Sequence, residues 1–273
     1  MTINLAKQAV AVLNTADAHQ KAALSRATAK AWFAARDQNQ PTSVGAAHPP
    51  DHPARPDRPE LVAPRDVPKR RPGTPKGRIA LLHAVAHIEL NAVDLHWDII
   101  ARFTDTDMPD GFYDDWVRTA DEEAKHFILI CECLENLGSS YGALPAHAGM
   151  WRAAHDTADD LMGRLAVVPM VLEARGLDVT PAMIQVFQKA DLVQAVAALE
   201  TIYSEEVAHV AYGSKWFHFL CGRKNLDPKV VFHEKVRKYF HSPLRPPFNE
   251  EKRAEAGVPP DFYWPLSENP KSN

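Results

Sequence analysis

The sequence predicts an all-α fold: an antiparallel four-helix bundle with an N-terminal helical extension and a proline-rich linker and tail. Three observations predict it. Of the 22 prolines, ten lie between Pro41 and Pro75, seven between Pro243 and Pro270, and five elsewhere. Proline removes a backbone donor and breaks helix interiors, so the two dense stretches read as extended chain and the segment between them as helical. That middle segment carries long patterns of apolar residues at steps of three and four, with cap signals at their ends. No run alternates with period two for long enough to make a strand.

Taken in order, residues 1–40 form the extension, 41–75 the linker, 76–222 the bundle, and 223–273 a short helix and tail. Residues 3–38 are alanine-rich, with Leu5, Val12, Leu24 and Trp32 among the larger apolar side chains. They read as a helix or helix pair. The apolar stripe must pack on the main body or on a second copy of the chain, giving a homodimer. The linker holds a local basic bias at Arg55, Arg58, Lys69, Arg70, Arg71, Lys76 and Arg78, read as a solvated strap, with an RNA contact as the alternative.

The first bundle helix is predicted from Thr74, its cap, and Pro75 to Phe103, with an inward face of Leu82, Ala86, Glu89, Val93, His96 and Ile100. The second runs from about Pro109 to Leu137 and stops at Gly138. The third is expected from Ala146 to Arg175, with Gly176 as its stop. The fourth opens at Thr180-Pro181, breaks near Asp191 and continues to about Cys221. A shorter helix spans about Pro228 to Phe240.

Composition narrows the function classes. Apolar residues make up 45% of the chain and charged residues 24%, enough for a packed core. The net charge of −4 calls for no polyanionic partner. Cys131, Cys133 and Cys221 form no CxxC pair, which suits a reducing compartment. The N-terminus lacks the shape of a signal peptide, and no apolar run is long enough to span a membrane. A cytoplasmic protein is the expectation.

The chemistry lies in a repeated arrangement. Glu123-Ala-Lys-His126 and Glu206-Val-Ala-His209 each place a carboxylate and an imidazole three residues apart, on one helix face. Two such matches alone carry little in a chain with 13 histidines. Their spacing carries more. The step in the chain from Glu89 to Glu123 is matched, to within one position, by the step from Glu173 to Glu206. That length takes the chain along one helix, around a connection and back to the same height. Each hairpin then faces a lone glutamate toward a Glu-x-x-His pair.

Four carboxylates buried together demand counter-charge. Two divalent cations balance them, and carboxylate with imidazole ligands suits iron or manganese. Two iron ions are the expected cofactors, with manganese or a mixed pair also compatible. Glu123 and Glu206 are expected to bridge the metals, and Glu89 and Glu173 to be terminal. Glu122 and Glu205 sit about 100° round the helix from a ligand and read as solvated. Glu200 is a weaker candidate for an added ligand. His96 shares the face of Glu89 and reads foremost as a core histidine, and Asp94 as a residue that could orient a ligand imidazole. Tyr203 and Tyr212 flank the second Glu-x-x-His as candidates for gating or electron donation, with packing as the default. Pro169, four residues before Glu173, is expected to bend or widen its helix.

The pattern at Glu89, Glu123/His126, Glu173 and Glu206/His209 resembles the ferritin-like superfamily. With HxEL at His87–Leu90, EARGLD at Glu173–Asp178, EEVAHVAYG at Glu205–Gly213 and the PLRPPFN segment from Pro243, the chain looks like a bacterial ferritin-like family catalogued as a domain of unknown function. The resemblance implies the fold and the metal positions, and no activity. The expected function is a di-iron oxidoreductase using dioxygen or peroxide, such as a hydroxylase of a small organic substrate. Two alternatives stand beside it: a ferroxidase or rubrerythrin-like peroxidase without organic substrate, and a metal-stabilised scaffold without turnover.

Overall fold

The structure is a computed structural model that describes residues 3–67 and 71–268. Lys69, Arg70 and Pro270, named above, lie outside the described residues. The chain is all-helical apart from short strands and bridges. It divides after Trp151 into two compact units.

The first unit holds α1 (Leu5–Leu13), α2 (Ala18–Asp37), α3 (Pro75–Arg102) and α4 (Asp110–Asn136). α1 starts on Asn4, whose side chain accepts from the Lys7 amide, and α2 on Asp17, which accepts from Gln20. Such caps satisfy amides that the first helical turn leaves without partners. Thr74 caps α3 through the Gly77 amide, and Pro75 occupies the first helical position, as the sequence indicates. Leu82, Ala86, Glu89, Val93, His96 and Ile100 are all buried. α4 follows from Pro109 and ends at Gly138, whose φ of +72° is favourable for glycine.

The N-terminal extension packs on this hairpin. α1 lies on α3 and α2 on α4. Ser25 of α2 links both, donating to the Ala120 carbonyl at 2.9 Å and accepting from Trp97 Nε1 at 2.7 Å. Lys21 forms a buried ion pair with Asp94 of α3 at 2.5 Å. The linker is a strap rather than a loose tether. β2 (Thr42–Ser43) pairs in parallel with β1 (Ile3–Asn4), the Ala54 amide donates to Leu13, and Arg55 donates to Asn91 of α3.

The second unit departs from the predicted long third helix. The boundary between units falls inside α5 (Gly149–Asp156), and α6 (Leu161–Val167) starts afresh on its cap Asp160. A π-helix (Val168–Glu173) follows directly and runs into α7 (Ala174–Gln188). Gly176 is therefore no stop, and Thr180-Pro181 is no start: both lie inside α7. Two local features explain this. Gly176 does not adopt the left-handed φ of a helix stop, and a Cβ there would make only an ordinary contact with the Glu206 side chain at 3.9 Å. Pro181 cannot donate to the Leu177 carbonyl four residues earlier, but Asn249 Nδ2 donates to that carbonyl instead, at 3.2 Å.

Pro169 sits within the π-helix, where the loss of its amide donor is absorbed by the widened turn. The expected break near Asp191 is present, with a φ of +54°. α8 (Val193–Arg223) then returns along α7. α9 (Pro228–Tyr239) packs on α6, and the tail adds α10 (Glu250–Glu255) and α11 (Pro260–Tyr263).

Candidate metal centre

In the first unit, Glu89 stands as many positions before the end of α3 as Glu123 stands after the start of α4. With a constant helical rise of about 1.5 Å per residue, both lie at the same height. The candidate donor atoms of Glu89, Glu123 and His126 lie within 4.8 Å of one another. His126 turns Nδ1 toward both carboxylates, 3.3 Å from Glu89 Oε2 and 3.6 Å from Glu123 Oε2. All three side chains are at most 5% exposed, so they are not ordinary surface charges. Burial pushes the Glu89 carboxyl well above the usual carboxylate range, repulsion from Glu123 adds to the rise, and the neighbouring His126 imidazole opposes it.

His96 belongs to this cluster more closely than its spacing suggests. Its ring stacks on Trp116 at 5.3 Å, and Nε2 lies 3.9 Å from Glu123 Oε1. The signal was its position seven residues after Glu89, on the same helix face. Asp94 does not orient a ligand histidine: it is held by Lys21 of α2. His87, in HxEL, is also structural. Nδ1 lies 2.9 Å from Tyr141 Oη and Nε2 3.1 Å from the His147 carbonyl, and burial pushes the ring down to about 4.

The second unit buries the corresponding residues, Glu173 at the end of the π-helix and Glu206 and His209 on α8, and draws the last two together. Glu173 closes the π-helix and is 6% exposed. Glu206 is as far from the start of α8 as Glu123 is from the start of α4. His209 turns Nδ1 toward Glu206 Oε2 at 3.7 Å, as His126 does toward Glu123. Glu122 and Glu205 are half-buried, and Glu200 is exposed, which speaks against an added ligand there. Tyr203 accepts a hydrogen bond from Asn249 Nδ2 at 2.8 Å, a structural use of its hydroxyl, and Tyr212 is half-buried.

The π-helix and α8 fit each other at one point. A Cβ on Gly213 would run into the Pro169 ring, so only glycine permits that approach. The sequence reading missed a further pair. Asp94 lies five residues after Glu89, and Asp178 five residues after Glu173; both are buried and ion-paired. Comparing offsets from the two lone glutamates would have found them.

Among the described residues no helix is long and apolar enough to cross a membrane. Residues 14–264 match the family described as "Protein of unknown function (DUF455)". An uncharacterized protein of Haemophilus influenzae is 42% identical over 207 residues, covering 74% of this chain and 72% of that protein. No solved structure matches.

Proposed function

The chain belongs to the DUF455 family, and from its own residues we propose that it is a di-iron oxidoreductase on a ferritin-like four-helix bundle made of the α3/α4 and α7/α8 hairpins. The observation that supports this is the twofold repeat of one buried motif. Each hairpin buries a lone glutamate and a Glu-x-x-His pair, with the histidine Nδ1 turned to the carboxylate of that pair.

The donor set fits a metal pair. Glu89, Glu123, His126, Glu173, Glu206 and His209 offer oxygen and imidazole nitrogen and no thiolate, which suits iron or manganese. Burial first, and then repulsion from Glu123, push the Glu89 carboxyl up. A divalent cation supplies the charge that a proton otherwise must. Bound iron supplies the redox chemistry for dioxygen or peroxide. The protein holds the ligands on rigid helices, with His126 fixed between Glu89 and Glu123 and His96 and Trp116 stacked beside Glu123. The organic substrate is a small molecule, and the reaction a hydroxylation.

Anaerobic loading with ferrous iron tests the site. About two irons per chain are expected, with the Mössbauer signature of a coupled pair. Glu123→Ala and His126→Ala on one hairpin, and Glu206→Ala and His209→Ala on the other, should each abolish the pair. A wild-type chain that binds no iron would sink the proposal, and so would single-hairpin variants that retain both irons. Oxygen uptake by the loaded protein, with and without a pool of small metabolites, then tests the reaction. Product formed only with the pool supports the hydroxylase. Peroxide lost equally fast without it supports the peroxidase instead.

A further inference from the structure

The second unit contains a cavity of about 330 Å³, within the size range of small-molecule sites. One wall is the π-helix, through Val171 and Leu172, directly before Glu173. The other is the tail that follows α9, through Phe240, Leu244 and Phe248. Three arginines also line it: Arg175, Arg245 and Arg253.

The arginines are partly committed, and the commitments build the site. Arg175 Nη1 donates to the carbonyls of Arg245 at 2.6 Å and Pro247 at 3.0 Å, which holds the tail against α7. Arg245 Nε pairs with Glu268 at 2.8 Å. Arg253 is 2% exposed and donates through Nε and Nη2 to Asp178, while its Nη1 makes no hydrogen bond within the described residues. Its guanidinium lies against the rings of Phe248 and Tyr263, at 5.1 and 4.7 Å. Against these three cations stand two bonded carboxylates, Asp178 and Glu268, and among the described residues no acidic side chain lines the cavity. One positive charge is left in excess beside an apolar wall.

We propose that this cavity binds a small organic monoanion, a carboxylate carrying an apolar chain or ring. The carboxylate sits at the guanidiniums of Arg175 and Arg245, and the apolar part lies against Leu172, Leu244 and Phe248. That the bound anion is the substrate rests on the di-iron reading, because the wall it touches continues into Glu173. That the cavity binds it does not.

Isothermal titration of the full chain with octanoate tests the proposal, with 1-octanol and acetate as probes lacking the charge or the chain. Octanoate should bind one per chain, about tenfold or more tighter than either. Ser242→Trp, which fills the cavity from an exposed position, should abolish binding. Arg245→Gln, on an exposed side chain, should weaken it about fivefold and keeps the test decisive if the tryptophan variant does not fold. Octanoate binding no tighter than octanol overturns the proposal, as does wild-type affinity in folded Ser242→Trp or in Arg245→Gln. Iron content measured on the same samples separates the two readings. Glu123→Ala should lose iron and keep octanoate. A chain that holds two irons and ignores octanoate refutes the cavity proposal alone.

Discussion

Each hairpin carrying the candidate ligands is fastened to the segment flanking it by a buried ion pair, and the two pairs are built differently. In the first unit Asp94, five residues after Glu89, meets Lys21 of α2 at 2.5 Å. In the second Asp178, five residues after Glu173, meets Arg253 of α10 through two hydrogen bonds of 2.8 and 2.7 Å. Asp178 also accepts from the Asn249 amide at 2.9 Å and from Arg175 at 3.3 Å. The repeat therefore extends beyond the six candidate ligands, to the residue that attaches each terminal extension. The extensions are structural parts of the two hairpins. One aspartate is ion-paired to a single cation, with Arg55 acting only from farther away, and the other sits in a hydrogen-bonded network.

That difference sets the largest expected effect. Lys21→Met leaves Asp94 buried without its nearest cation, and loss of one partner of a buried pair costs about 3–5 kcal/mol. Arg253→Met leaves Asp178 with the Asn249 amide and Arg175, so about 2 kcal/mol is expected. Urea denaturation, with hydrogen exchange followed separately in α3 and α7, measures both. Equal losses would mean that the network around Asp178 adds nothing beyond its arginine.

The hairpins also differ in their helices, and Gly213→Ala probes that. Its new methyl would meet the Pro169 ring. Overpacking of this kind costs about 1–3 kcal/mol. Adding Pro169→Ala should recover part of the loss, and a double-mutant cycle reads the coupling. No recovery would show that α8 is displaced by something other than the proline ring. Asn249→Ala comes next, at about 1–2 kcal/mol, because it strips the Leu177 carbonyl of the donor that replaces Pro181. Faster exchange confined to the middle of α7 is the expected signature, and unchanged exchange there would remove Asn249 as the reason that α7 tolerates Pro181.

These features show what was legible in the sequence. The inward face of α3 could be read residue by residue, because period and caps are local. The break at Asp191 could be read too, although the continuous helix expected over residues 146–175 could not. Asp160 starts a new helix there, and its role depends on contacts with α9 about 75 residues away. Gly176 and Pro181 carry ordinary boundary signals. Asn249, which replaces the donor lost at Pro181, is distant in the chain. The burial of the two lone glutamates and of the Glu-x-x-His pairs could be expected because their spacing is itself the signal. The cavity beside Glu173 could not, since its walls come from the π-helix and a tail about 70 residues later.

The smallest effect concerns Asp160, where α9 meets α6. Burial alone would raise its carboxyl, but Lys235 at 2.5 Å, the Gly163 amide at 2.9 Å and the Tyr239 hydroxyl at 2.9 Å outweigh burial and hold it below the usual carboxylate value. A carboxyl depressed in the folded state stabilises above its unfolded value, near 4. That stabilisation is lost as pH falls through the folded value. Asp160→Asn keeps a side chain able to cap α6 and removes the charge. The variant should be less stable by about 1 kcal/mol at neutral pH, and the gap from wild type should close below about pH 4. Thermal unfolding across pH 3–7 measures it. A gap that persists unchanged at pH 3 would assign the loss to cap geometry, leaving the Lys235 pair without a net contribution.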